Sequence, residues 1–134
     1  MAGFNHWGSV AEAVDTAASQ VVRKTALDAQ GHIQQHIQAN GQIDTGFMLN
    51  SVYTVTSEGS SYTGGEHALA AVAAPPDNKT AYVAVAADYG EIQELGSRYM
   101  PGRPFFFPGM DDTRPGLDAA MALIKAKMEE AAGR

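Results

Sequence analysis

Cysteine is absent from the 134-residue chain, which excludes a disulfide framework, a cysteine-bearing zinc knuckle, a thiol nucleophile and a cysteine-ligated iron–sulfur cluster. Long apolar runs are missing as well. No stretch of about 18 apolar residues occurs, and Met1 to Trp7 hold neither a basic leader nor an apolar segment, so neither a membrane span nor a signal peptide is predicted. Basic residues are scarce: nine Lys and Arg stand against fifteen Asp and Glu, giving a formal charge of −6. That balance disfavours net attraction to nucleic acid or anionic lipid and, with no basic stripe, a nucleic-acid or toxin–antitoxin module. The chain carries no Gly-x-Ser-x-Gly elbow, no phosphate loop ending in Gly-Lys-Ser/Thr and no dinucleotide fingerprint. What is present, 45% hydrophobic and 18% charged residues, is the composition of one globular domain over 1–134, made and retained in the cytosol or in something assembled there.

Ser9 followed by Glu12 forms a capping-box signature, so a helix is expected to start there. Val14, Ala18, Val22, Ala26, Ala29, Ile33 and Ile37 continue it as one apolar stripe, and Asn40-Gly41 ends it. After Asp44-Thr45-Gly46 there is room for one helical turn at 47–50. Ser51 to Thr56 alternates β-branched and aromatic residues and predicts a strand with Val52, Thr54 and Thr56 on one face. The Gly/Ser-rich stretch 57–66 reads as a long, mobile hairpin loop. Two more strands are expected at Leu69 to Ala74 and Ala81 to Ala87, joined by a turn at 75–79. Tyr89 to Leu95 reads as a short helix closed by Gly96. A last helix should begin near Thr113 to Pro115, with Leu117, Met121, Ile124 and Met128 on its apolar face. The fold class that follows is α+β: a small antiparallel sheet packed against a long N-terminal helix, with a short helix and a C-terminal helix.

Two constellations bear on function. His32 and His36 have the i, i+4 spacing of paired metal ligands, which opens a reading as a small metal-dependent enzyme. No Glu lies between them, however, and His6 and His67 are poorly placed to complete a site, so a solvated helix face is the plainer reading. Glu91 and Glu94, like Asp111 and Asp112, read as helix-dipole partners and caps; no catalytic residue and no cofactor is expected.

The second constellation is Met100-Pro-Gly-Arg-Pro-Phe-Phe-Phe-Pro108. Residues before proline favour extended geometry, so Met100, Arg103 and Phe107 are expected to be non-helical and the segment to run as a stiff arm. Along an extended arm Phe105 and Phe107 share one side and Phe106 takes the other. All three can be core, or one side can meet a partner. Arg98, Arg103 and Arg114 surround them, and aromatics with arginine are the residue types richest at interface hot spots, which makes these six the candidate subunit-interface residues.

Three ordered blocks carry a resemblance: Asp44-Thr45-Gly46-Phe47-Met48-Leu49-Asn50-Ser51-Val52, Tyr89-Gly-Glu-Ile-Gln-Glu94-Leu-Gly96, and the Met100 to Pro108 arm with its prolines at 101, 104 and 108. In this order they resemble the head–tail joining, or neck and tail-completion, family of long-tailed phages typified by gene product ten of phage HK ninety-seven. The motif positions are Thr45, Gly46, Leu49, Ser51, Tyr89, Glu94, Gly96, Pro101, Pro104 and Pro108, with Ile92 where the family usually has an aromatic. The resemblance implies a structural virion protein in the neck or tail that is assembled in the host cytoplasm. It also implies self-association into a ring, most simply a hexamer, alongside other neck and tail proteins. DNA would pass through such a ring without sequence-specific binding, and six copies at −6 each would bring about −36 to it.

Overall fold

The computed structural model describes the backbone of residues 2–42 and 46–132, with side chains over 8–42 and 46–130. It has the expected α+β architecture. A long helix α1 (Ala2–Ala39) leads through one turn of helix, α2 (Phe47–Asn50), into strands β1 (Val52–Thr56), β2 (Gly59–Ser60) and β3 (Tyr82–Val85). A short helix α3 (Gly90–Leu95), a small hairpin of β4 (Gly96–Ser97) and β5 (Met100–Pro101), and the C-terminal helix α4 (Phe106–Ala132) complete the chain.

Helix α1 begins before the Ser9-Glu12 signature, which therefore lies inside the helix and caps nothing. Its 38 residues extend about 57 Å at 1.5 Å per residue. The end falls where expected: Gly41 takes φ +72°, and the Gln42 N–H reaches back to the Ile37 carbonyl at 3.0 Å, as in a Schellman closure. Of the predicted stripe, Ala26, Ala29, Ile33 and Ile37 are buried, while Val14, Ala18 and Val22 are half-buried.

The sheet is antiparallel with order β2-β1-β3. Val52 faces the main core with Ile33, Ile37, Met48, Ala87 and Phe105, and the Thr54 hydroxyl donates to Gln30 Oε1 on α1 at 2.6 Å. Tyr53 and Val55 face the other way into a second cluster closed by Ala86, Ala84, Tyr62 and Ala68, with Tyr62 edge-on to Tyr53 at 5.1 Å.

Two expectations, a long loop at 57–66 and a strand at Leu69 to Ala74, are corrected. The hairpin after β1 turns over Ser57 and Glu58 alone, because Thr56 pairs with Gly59 and Val55 with Ser60. The chain then returns along the sheet, with the Ser61 N–H on the Thr54 carbonyl at 3.0 Å. The strand expected at Leu69 to Ala74 does not form. Only an isolated bridge joins Ala68 to Ala87, and the Val72 N–H is taken by the Tyr53 hydroxyl at 3.0 Å, which draws the segment away from the ladder.

The C-terminal helix also begins earlier than expected. Phe107, which precedes Pro108, is helical, and the arm is extended only as far as Phe105. Proline is tolerated there because the first-turn N–H groups have no intrahelical partner to lose. Phe105, Phe106 and Phe107 therefore do not alternate: Phe105 is 1% exposed, Phe106 half-buried and Phe107 59% exposed. Helix α4 runs antiparallel to α1, with His36 beside Asp112 and His32 beside Thr113. On its expected apolar face Ile124 is buried and Leu117 half-buried, whereas Met121 and Met128 are exposed.

Candidate functional site: the α3, hairpin and α4 surface

The second and third motif blocks are joined by one side chain. Glu94, at the end of α3 and 7% exposed, directs its carboxylate at the free N–H groups that begin α4. Oε1 accepts from Phe105 N at 2.9 Å and Phe106 N at 2.7 Å, and Oε2 accepts from Phe107 N at 3.4 Å. A carboxylate at a helix start satisfies orphan donors and meets the positive end of the dipole together. Glu94 is thus a cap supplied from another helix.

The hairpin between them is held by close backbone contact. Gly96 has φ +85°, and a Cβ there would lie 2.4 Å from the Gly102 nitrogen; one on Gly102 would lie 2.6 Å from the Glu94 carbonyl oxygen. Only two glycines let these strands leave α3 at this separation. The arm is stitched to α1 and α3 as well. The Arg103 N–H donates to the Gln93 carbonyl at 2.8 Å, Arg103 Nη1 to the Asn40 carbonyl at 2.7 Å, and Asn40 Nδ2 to the Pro104 carbonyl at 2.8 Å. Buried Gln42 bridges Gln93 Oε1 at 3.0 Å and the Arg103 carbonyl at 3.2 Å.

The first block joins the same body. Ser51 is buried; its hydroxyl donates to the Met48 carbonyl at 2.8 Å and accepts from Ala87 N at 3.2 Å. Leu49 packs against the main core, its carbonyl accepting from Gln34 Nε2 at 3.2 Å, and Gly46 begins α2 with φ +75°. Phe47 lies 6.4 Å from Tyr89, which ties the first block to the second. Thr45 lies outside the described residues. Pro101 is exposed in β5, Pro104 is exposed in the arm, and Pro108 sits half-buried in the first turn of α4.

The candidate interface residues divide. Phe105 belongs to the core rather than to a subunit contact, and Arg103 is engaged with α1. Arg98, Phe107 and Arg114 are exposed; Phe106, half-buried, lies edge-on to Phe107 at 5.9 Å. Sequence reading missed Tyr99, which is 86% exposed at the hairpin tip with the Arg98 guanidinium 5.4 Å from its ring centre. The Gly-Ser-Arg-Tyr-Met-Pro-Gly run from Gly96 to Gly102, a glycine at each end of a short ribbon, was the available signal.

The two helical histidines point at α4. The Thr113 hydroxyl donates to the Gly109 carbonyl at 2.9 Å, so at 2.8 Å it accepts the Nδ1–H of His32. His36 Nε2–H donates to Asp112 Oδ2 at 2.7 Å. The two rings thereby link α1 to α4. Among the described residues no group of three His, Cys, Asp or Glu side chains could hold a metal ion, and no helix is long and apolar enough to cross a membrane.

No protein-family model, curated protein or solved structure matches the chain.

Proposed function

We propose that the chain is a structural virion protein of a long-tailed phage: a neck, tail-completion or tail-terminator component that assembles into a ring joining head and tail. The supporting observation is the convergence of the three motif blocks. The first block meets the second through Phe47 and Tyr89, forty-two residues apart, and the second meets the third through Glu94 and the start of α4 and through the Gly96 and Gly102 backbones. The motif residues thereby serve as a frame, and what the frame leaves in solvent is aromatic and arginine surface, Arg98 and Tyr99 on the hairpin and Phe107 on α4. Such a surface suits protein contact. A ring needs a heterologous contact in which one patch meets a different patch on the next copy. In a hexamer the −6 charge of each chain discourages DNA from adhering to the bore.

Sedimentation velocity with electron microscopy of the purified chain tests this reading, with other neck proteins added where they are needed to nucleate assembly. Closed rings are expected. A chain that stays monomeric at its highest soluble concentration, alone and beside those proteins, overturns it.

A further inference from the structure

The β4–β5 hairpin carries the most exposed large apolar side chain in the described structure, Tyr99 at 86%. Its mount is rigid: the Gly96 and Gly102 backbones are in contact, and the arm that follows is bonded to α3. Little loop entropy is therefore lost when the tip is held by a partner. Arg98 stacks on Tyr99 and forms no ion pair among the described residues.

A groove of about 470 Å³ lies between β3, α3 and the start of α4, with Leu69, Val85, Leu95, Phe106 and Phe107 among its walls. Its apolar walls stay open to water: Leu69 is 55%, Leu95 65% and Phe107 59% exposed. Three carboxylates also line it: buried Glu94, engaged with the start of α4, and exposed Asp88 and Glu91. Asp88 is loosely paired with His67 at 3.8 Å, while Glu91 makes no ion pair among the described residues. The chain's own tip does not fill this groove, since Tyr99 remains in solvent.

We infer that the Arg98-Tyr99 tip of one copy docks into the groove of a second copy, the tyrosine ring against Leu95 and Phe107 and the guanidinium on Glu91. The inference rests on the assembly reading above and names the contact that would build it. Charge selects the occupant. On an acidic chain most surfaces repel their copies, but the tip is cationic and the groove rim anionic, so these two patches attract while other pairings of like sign do not. Tyrosine and arginine are also the side chains that concentrate binding energy when a groove excludes water around them.

Charge reversal and its rescue provide the test, read by sedimentation equilibrium on full-length protein. Arg98→Glu and Glu91→Arg are each expected to weaken self-association at least tenfold, and the double variant to recover most of it. Tyr99→Ser is expected to weaken it to a similar degree. All three positions are exposed, and circular dichroism and thermal melts confirm that each variant is folded. Variants that associate as the wild type does refute this contact and leave the ring reading standing. Singles that weaken association without recovery in the double variant refute the Arg98–Glu91 pairing. A wild-type chain that never associates, alone or beside the other neck proteins, removes both readings.

Discussion

Glu94 Oε1 and the Phe106 N–H are 2.7 Å apart, across a gap of twelve residues that contains the whole β4–β5 hairpin. Because the same carboxylate serves Phe105 and Phe107, one buried side chain fixes where α4 starts and which phenylalanine enters the core. Glu94→Ala leaves three N–H groups without their acceptor and is expected to cost about 3 kcal/mol, lowering the melting temperature by roughly 10 °C. Glu94→Gln retains one acceptor oxygen but no charge, and should lose about 1 kcal/mol. Thermal unfolding of the two variants checks the order; an Ala variant as stable as the wild type would remove the capping role.

The fold class was legible because most of its signals are periodic and local. The α1 stripe, the Asn40-Gly41 stop and the alternation over Val52 to Thr56 each follow from backbone geometry alone, and each appears in the structure. The errors arose where a tertiary partner overrides a local preference. Phe107 before Pro108 favours an extended chain in isolation, yet the Glu94 carboxylate makes a helix start there favourable. Leu69 to Ala74 has the composition of a strand, but the Tyr53 hydroxyl holds Val72 off the ladder. The same holds for the site. The Arg and Phe cluster was visible as composition, whereas the burial of Phe105 depends on an α4 start that no neighbouring residue specifies, and the exposure of Tyr99 on the backbone contact of Gly96 with Gly102.

The spacing of His32 and His36 invites a metal reading, and their hydrogen bonds to Thr113 and Asp112 provide a structural one. If helix pairing is their role, a strong chelator leaves the melting temperature unchanged and added zinc does not raise it. His32→Ala removes the donor to Thr113 in a half-buried position and should cost about 1 kcal/mol. His36→Ala removes a more exposed contact and should cost less. Zinc retained stoichiometrically through purification, and lost in both variants, would favour the metal site instead.

Two glycines in α4 separate close packing from helix propensity by the sign of their effect. At Gly109 a Cβ would stand 2.6 Å from Ile33 Cγ1 and 2.7 Å from the Ile33 Cα and nitrogen, so α1 and α4 touch backbone to backbone there. At Gly116 a Cβ would meet nothing within 4 Å. Alanine in a helix interior is worth up to about 1 kcal/mol over glycine, so Gly116→Ala is expected to stabilise the protein by a fraction of that. Gly109→Ala gains the same propensity but forces the two helices apart where the Ile33 backbone cannot yield, and overpacking of this kind costs about 1 to 3 kcal/mol. The net effect should be destabilising by about 1 kcal/mol. Chemical denaturation of both variants decides it. Stabilisation by both would mean that the helices are not in contact at Gly109, and the alignment of His36 with Asp112 would lose its support.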